Sequence, residues 1–265
     1  MSILFGISAV LPEQFQALPA KLPDHLRMAE FPGDVLDTAG GIRKLASLAK
    51  SGVQLCGRDL IPSDIAGLIP GENAKIRAEL EAHFFRRCEL AAGAGVKEFS
   101  VAFDLFQAAE DPRAREQLAK FLRRCGGVIH GFGQTMRLEC RIPCGSRQAW
   151  EEILAFRNSL LLPGIELLPE LHPHEPNAPE IIGSALKSFR FHDEFRRICY
   201  DSASGNVLTP GALKRCSATF FRGEEHEMRL FFAPGSVKFD AFLLSGLDDL
   251  AGSFLESAVQ QEKEP

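Results

Sequence analysis

Residues 135–142 read TMRLECRI, in which Met136, Leu138, Cys140 and Ile142 alternate with Arg137, Glu139 and Arg141. Alternation of period two predicts a strand, because successive side chains leave opposite faces of the pleat. The usual polar face of such a strand is solvated, as in an antiparallel sheet. The stretches on either side place this strand in a different setting.

Seven further segments have strand character: ILFGIS (3–8), HLRMAEF (25–31), GVQLCG (52–57), VKEFSVAFD (96–104), GIELLPELH (164–172), LKSFRFHD (186–193) and EMRLFFA (227–233). Helical patterns fall between them. From Asn73 to Gly93, Ile76, Leu80, Phe84, Cys88 and Ala91 form one apolar stripe. Asp111-Pro112 is an N-cap followed by proline at the first helical position, and it opens a helix to Arg124 closed by Gly126-Gly127. Ser146 caps a helix through Phe156, Thr209-Pro210 opens a short one, and Leu247 to Gln261 is amphipathic. Regular alternation of strand and helix implies parallel strands with helical crossovers. Eight units in 265 residues predict a single (β/α)8 TIM barrel over 1–265, with a frayed tail from about 258 to 265. An open doubly wound sheet is the alternative, but FGISAVLP lacks the glycine-rich phosphate fingerprint after the first strand.

In a parallel barrel both faces of a strand are covered. Met136, Leu138, Cys140 and Ile142 then face helices, and Arg137, Glu139 and Arg141 face the interior. Charges in a dry core cost several kcal/mol each without partners, so these belong near the C-terminal mouth, where barrel enzymes keep their sites. The same phase brings Arg58, Asp104, Glu139, Arg141, Glu170, His172, Arg190, His192 and Arg229 to that mouth.

Four places carry a resemblance to a known family. AEF at 29–31 offers Glu30; AELEAHFFRRCELAAGAGVKEFSVAFD at 78–104 joins a long helix to a strand; RLEC at 137–140 ends near Glu139. LLPELH at 167–172 and FRFHDE at 189–194 complete the set. Together they resemble the xylose isomerase-like superfamily of barrels, which holds sugar isomerases, sugar-phosphate isomerase/epimerases and endonuclease IV relatives. The resemblance implies a barrel that moves protons on a sugar, sugar phosphate or sugar acid. It also implies a divalent metal (Mn, Mg or Zn), here on Glu139, Glu170 and His172. The chain departs from the pattern at two ligand positions, where Arg190 and Phe231 or Phe232 stand. An arginine there puts positive charge where a cation would sit.

The catalytic candidates are Glu139, Glu170 and His172, since proton abstraction beside a carbonyl needs groups that remove and return a proton. The substrate-binding candidates are Arg58, Asp104, Arg141, Arg190, His192 and Arg229, the guanidiniums suiting carboxylate or phosphate. An alternative is a barrel without catalysis that binds a small anionic carbohydrate. A metal-dependent endonuclease ranks below both, because the net charge of -5 opposes binding a polyanion.

The expected partner is therefore a small carbohydrate or anionic sugar derivative, with neither nucleic acid nor membrane. The resemblance also implies a homo-oligomer. Seven cysteines without regular spacing predict free thiols and a cytoplasmic location. MSILFGISAVLP has no basic residue before its apolar run, and it reads as a buried first strand rather than a signal peptide.

Overall fold

A computed structural model describes residues 2–61, 69, 73–102, 111–140, 147–162, 165–174, 195–217 and 227–261. Eight strands close into a barrel in chain order, and every neighbouring pair is parallel. They are β1 (Ser2–Ser8), β2 (Leu26–Pro32), β3 (Gln54–Arg58), β4 (Glu98–Ala102), β5 (Thr135–Cys140), β6 (Ile165–Leu171), β7 (Phe195–Cys199) and β8 (Glu227–Ala233). The helices are α1 (Pro12–Ala17), α2 (Ala39–Lys50), α3 (Ala74–Gly93), α4 (Pro112–Gly131), α5 (Arg147–Ser159), α6 (Pro210–Ser217) and α7 (Ala241–Gln261). Among the described residues no helix is long and apolar enough to cross a membrane.

Within TMRLECRI, Thr135–Cys140 is the fifth strand, its last two residues lying outside the described residues, and seven of the eight strand expectations fall on observed strands. The seventh does not. β7 is Phe195–Cys199, and it fills the place between β6 and β8 that was assigned to 186–193, a segment outside the described residues. Two helix limits also change. α4 runs through Gly126-Gly127 to Gly131, because Cys125 and Ile129 continue its buried stripe. A Cβ at Gly126 would lie 3.2 Å from Leu162, so this glycine serves close packing rather than a stop. α7 begins at Ala241, where the Asp240 carboxylate accepts from the Leu243 N–H at 2.9 Å.

The outward faces of the strands pack on the helices, as the alternation required. Phe5, Ile7, Phe31, Phe99, Val101, Met136, Leu138, Ile198 and Phe232 are buried there. Phe84 of α3 meets Phe99 of β4 edge-on at 5.7 Å and Phe121 of α4 at 6.2 Å.

Inside the barrel the side chains form levels. Near the N-terminal end, Glu98 binds Arg137 at 2.9 Å and Arg229 at 2.7 Å. Above them Met28, Cys56, Leu168 and Phe231 form an apolar plug, with Leu4 packed against it. Gly6 makes room for it, since a Cβ there would lie 2.8 Å from the Phe231 ring and 2.7 Å from the Met28 Cβ. Toward the C-terminal ends the interior turns polar again.

Candidate active site

Four strands deliver one carboxylate or guanidinium each to the polar level: Glu30 on β2, Glu139 on β5, Glu170 on β6 and Arg197 on β7. Ser100 on β4 and Arg58 at the end of β3 join them, and all six are buried. The register explains the meeting, because Glu170 pairs with Arg197 across β6 and β7, and Ala102 with Glu139 across β4 and β5.

Arg197 is the hub. Its Nε donates to Glu30 Oε2 at 2.9 Å and its Nη2 to Glu30 Oε1 at 2.9 Å, a bidentate fork. Nη2 also donates to Glu139 Oε1 at 2.9 Å and to Ser100 Oγ at 3.2 Å. Nη1 donates to Glu170 Oε1 at 2.7 Å and forms an ion pair with Glu139 Oε2 at 2.7 Å. Every guanidinium nitrogen is engaged. Ser100 donates its hydroxyl to Glu139 Oε1, whereas Oε2, despite its ion pair, receives no aligned hydrogen bond among the described residues.

Burial alone would push the Glu139 carboxyl up, but the Arg197 and Arg58 guanidiniums and the two hydrogen bonds hold it down at about 2. Burial works against the Arg197 charge in the same way, and the three carboxylates overcome it and raise its pKa. Glu139 and Arg197 are thus both charged at neutral pH, deep in the barrel.

The next level up faces the mouth. Arg58 donates from Nη1 to Ser8 Oγ at 2.9 Å, and its Nη2 lies 3.7 Å from Glu170 Oε1. Asp59 follows in a left-handed conformation, φ 48°, and its carboxylate accepts from Arg58 Nε at 3.3 Å. A non-glycine residue at positive φ is uncommon, and here it marks the turn that leads the chain off β3. His172 and Cys199 lie one inward position beyond Glu170 and Arg197, and both are partly exposed. Burial, with the Glu170 charge behind it, pushes the Cys199 thiol up to about 12.

The ligating atoms of Glu170, His172 and Cys199 lie within 4.8 Å of one another, and all three are metal-ligand types. The surroundings do not fit a divalent ion. Glu170 Oε1 already holds Arg197 at 2.7 Å and Arg58 at 3.7 Å, and two guanidiniums repel a cation. Glu139, the other ligand the resemblance implied, is enclosed by Arg197 and Ser100.

The structure brings Glu139, Glu170, His172 and Arg58 together, as the strand phases required. It takes Arg229 away: that residue pairs with Glu98 at the N-terminal end, because it sits one inward position before Phe231. Phe231 and Phe232 are both fully buried, one in the plug and one against helices. Asp104, Arg141, Arg190 and His192 lie outside the described residues. The arginine of the seventh strand that neutralises the carboxylates is Arg197. Arg197 was missed because LKSFRFHD has the stronger alternation, yet FRRICY places Ile198 and Tyr200 on one phase and Arg197 and Cys199 on the other. Glu30 was visible in AEF but had been given no role.

No protein-family model and no curated protein matches the chain. Solved structures do match over nearly its whole length. A D-psicose 3-epimerase crystallised in the presence of D-fructose superposes with a TM-score of 0.65 at 13% identity, covering 96% of this chain and 98% of that one. A D-tagatose 3-epimerase-like protein gives 0.63 at 13%, covering 96% and 99%, and the 3-keto-D-glucoside 4-epimerase of E. coli gives 0.61 at 14%, covering 95% and 100%. A xylose isomerase domain protein from Planctomyces limnophilus gives 0.58 at 13%, covering 98% and 96%. The chain has the fold of the xylose isomerase-like barrels. Several of the structures it matches are sugar epimerases, among them an L-ribulose 3-epimerase.

Proposed function

We propose that this protein is a sugar isomerase or epimerase that moves a proton at a carbon beside a carbonyl. The observation that carries this reading is the pairing of Glu170 and His172 on one inward face of β6, with the Arg58 guanidinium 3.7 Å from Glu170. Imidazole is the side-chain type that exchanges protons near neutral pH, and His172 is half-buried just past the end of β6. In this reading His172 takes the proton from the C–H bond. The bond's electron pair becomes the carbon–carbon double bond, and the carbonyl π pair moves onto oxygen. Arg58 stabilises the resulting enediolate oxygen. Protonation of the same carbon by water from the opposite face, with His172 releasing the proton it took to solvent, gives an epimer; return of the proton from His172 to the former carbonyl carbon, with the first carbon's hydroxyl proton passing to the enediolate oxygen, gives an isomer. Glu139, held ionised beneath, is a positioning residue that fixes Arg197 and through it Glu170. The neighbours in the fold suggest ketohexoses and keto-glycosides as the first substrates to try.

Solvent exchange tests this directly. Purified protein is incubated in D2O with D-fructose, D-psicose, D-tagatose and a 3-keto-glucoside, and deuterium at carbon is followed by NMR. The reading expects incorporation with one of them and a drop on the order of 100-fold or more in His172→Gln. One observation favours a second reading, a carbohydrate-binding barrel without turnover: Glu139, a catalytic candidate, is ion-paired with Arg197 and held ionised at about 2, which makes it a weak base. Saturable sugar binding with no exchange for any sugar would establish that reading instead.

A further inference from the structure

Three carboxylates from three strands meet inside this barrel, and all bind the same group. Glu30, Glu139 and Glu170 are 2%, 1% and 5% exposed, too dry for water to screen their repulsion. Like charges so placed would have to take up protons unless a cation lay between them. A convergent set of carboxylate oxygens is also what a hard divalent ion requires. Here the centre of the set is the Arg197 guanidinium, 2.7 to 2.9 Å from oxygens of all three. Its Nη1 and Nη2 each lie against one oxygen of Glu139, and its Nε and Nη2 against the two oxygens of Glu30, so the guanidinium fills the space a shared cation would need.

We infer that Arg197 is the resident cation of this carboxylate ring and keeps divalent metal out of it. The ring's charge balance is therefore written into the chain, and its integrity is independent of metal supply. Replacing the guanidinium with a smaller or neutral group would uncover a site of three carboxylates, joined by an imidazole in the histidine variant. That donor set suits Mn2+ or Zn2+.

The test uses full-length protein stripped with a chelator and titrated with Mn2+ alone, read by equilibrium dialysis and by melting temperature. It is independent of turnover, so it stands or falls apart from the proposed activity. Wild type should melt at the same temperature with and without EDTA and show no tight Mn2+ binding. Arg197→His and Arg197→Ala should bind Mn2+ at least about 100-fold more tightly than wild type, with a Mn2+-dependent rise in melting temperature. If either variant is unfolded without metal, its recovery on refolding with Mn2+ supports the inference equally, and failure of both to gain Mn2+ affinity or refold overturns it. Stoichiometric Mn2+ on wild type that is lost in Glu139→Gln would also overturn it.

Discussion

Arg197 makes a bidentate fork to Glu30 and single bonds to Glu139 and Glu170, a pattern only a planar, permanently charged guanidinium can supply. Its removal leaves three buried carboxylates facing one another with only the Arg58 guanidinium, 3.7 Å from Glu170, as counter-charge. Deleting one partner of a buried pair costs on the order of 3–5 kcal/mol, and Arg197→Met should lie at or above that range. The melting temperature of metal-free protein should fall by roughly 10 °C or more. Arg197→Lys should be intermediate, since an ammonium keeps the charge but cannot reach three carboxylates in one plane. A melting temperature for Arg197→Met within about 2 °C of wild type would show that the ring contributes nothing to folding. Adding Glu30→Gln and Glu139→Gln to Arg197→Met removes the uncompensated charges, and it should recover part of the loss. Calorimetry of the four proteins measures each of these steps.

At the scale of elements, alternation made β5 legible, and its phase carried Glu139 into the interior beside Glu170 and His172 on β6. The same rule failed for β7. A strand of five residues offers two or three inward positions, and 186–193 showed a longer alternation than FRRIC. What separates them is tertiary: Arg197 stands opposite Glu170 in the register, and sequence does not give register between strands. The Gly126-Gly127 pair misled for a related reason, since close packing on Leu162 and a helix stop use the same residue type. The loops beyond β2 and β3 depend on a residue that periodicity could not single out. Arg87, buried on α3, donates to the Leu60 carbonyl at 2.8 Å and to Asp34 at 2.6 Å, and also grips Asp37. It thereby ties the short helix Gly33–Asp37 to the turn that carries Arg58 and Asp59. Arg87→Met should cost roughly 1–3 kcal/mol, because the buried Leu60 carbonyl loses its donor. Hydrogen exchange should rise at 33–37 and 58–61 and stay unchanged in β5 and β6. Uniform exchange across the barrel would mean that Arg87 supports the core at large rather than the mouth.

Over the whole molecule, the barrel interior alternates an ion cluster around Glu98, an apolar plug around Phe231, and the Arg197 ring beneath the mouth. The plug separates two charged levels, each held by its own ion pairs. Pairing of this kind is pH-dependent, and the sign follows from the direction of each shift. Glu139 is held at about 2 against an ordinary 4.5, so the folded state binds its proton more weakly than the unfolded chain. Its contribution is fully present above about 4.5 and is lost as pH falls toward 2, and a shift of this size corresponds to roughly 3 kcal/mol. On the alkaline side desolvation pushes the thiols of buried Cys88 and half-buried Cys199 from 9.0 up to about 12, so the folded state keeps their protons longer. That stabilisation is present below about 9 and fades as pH rises toward 12. Urea unfolding followed between pH 2 and 11 should therefore give a plateau with two falling arms. In Glu139→Gln the acid arm should be shallower than in wild type, and in Cys199→Ser the alkaline arm should be shallower. An acid arm of equal slope in wild type and Glu139→Gln would show that Glu139 is not the carboxylate whose protonation opens the barrel.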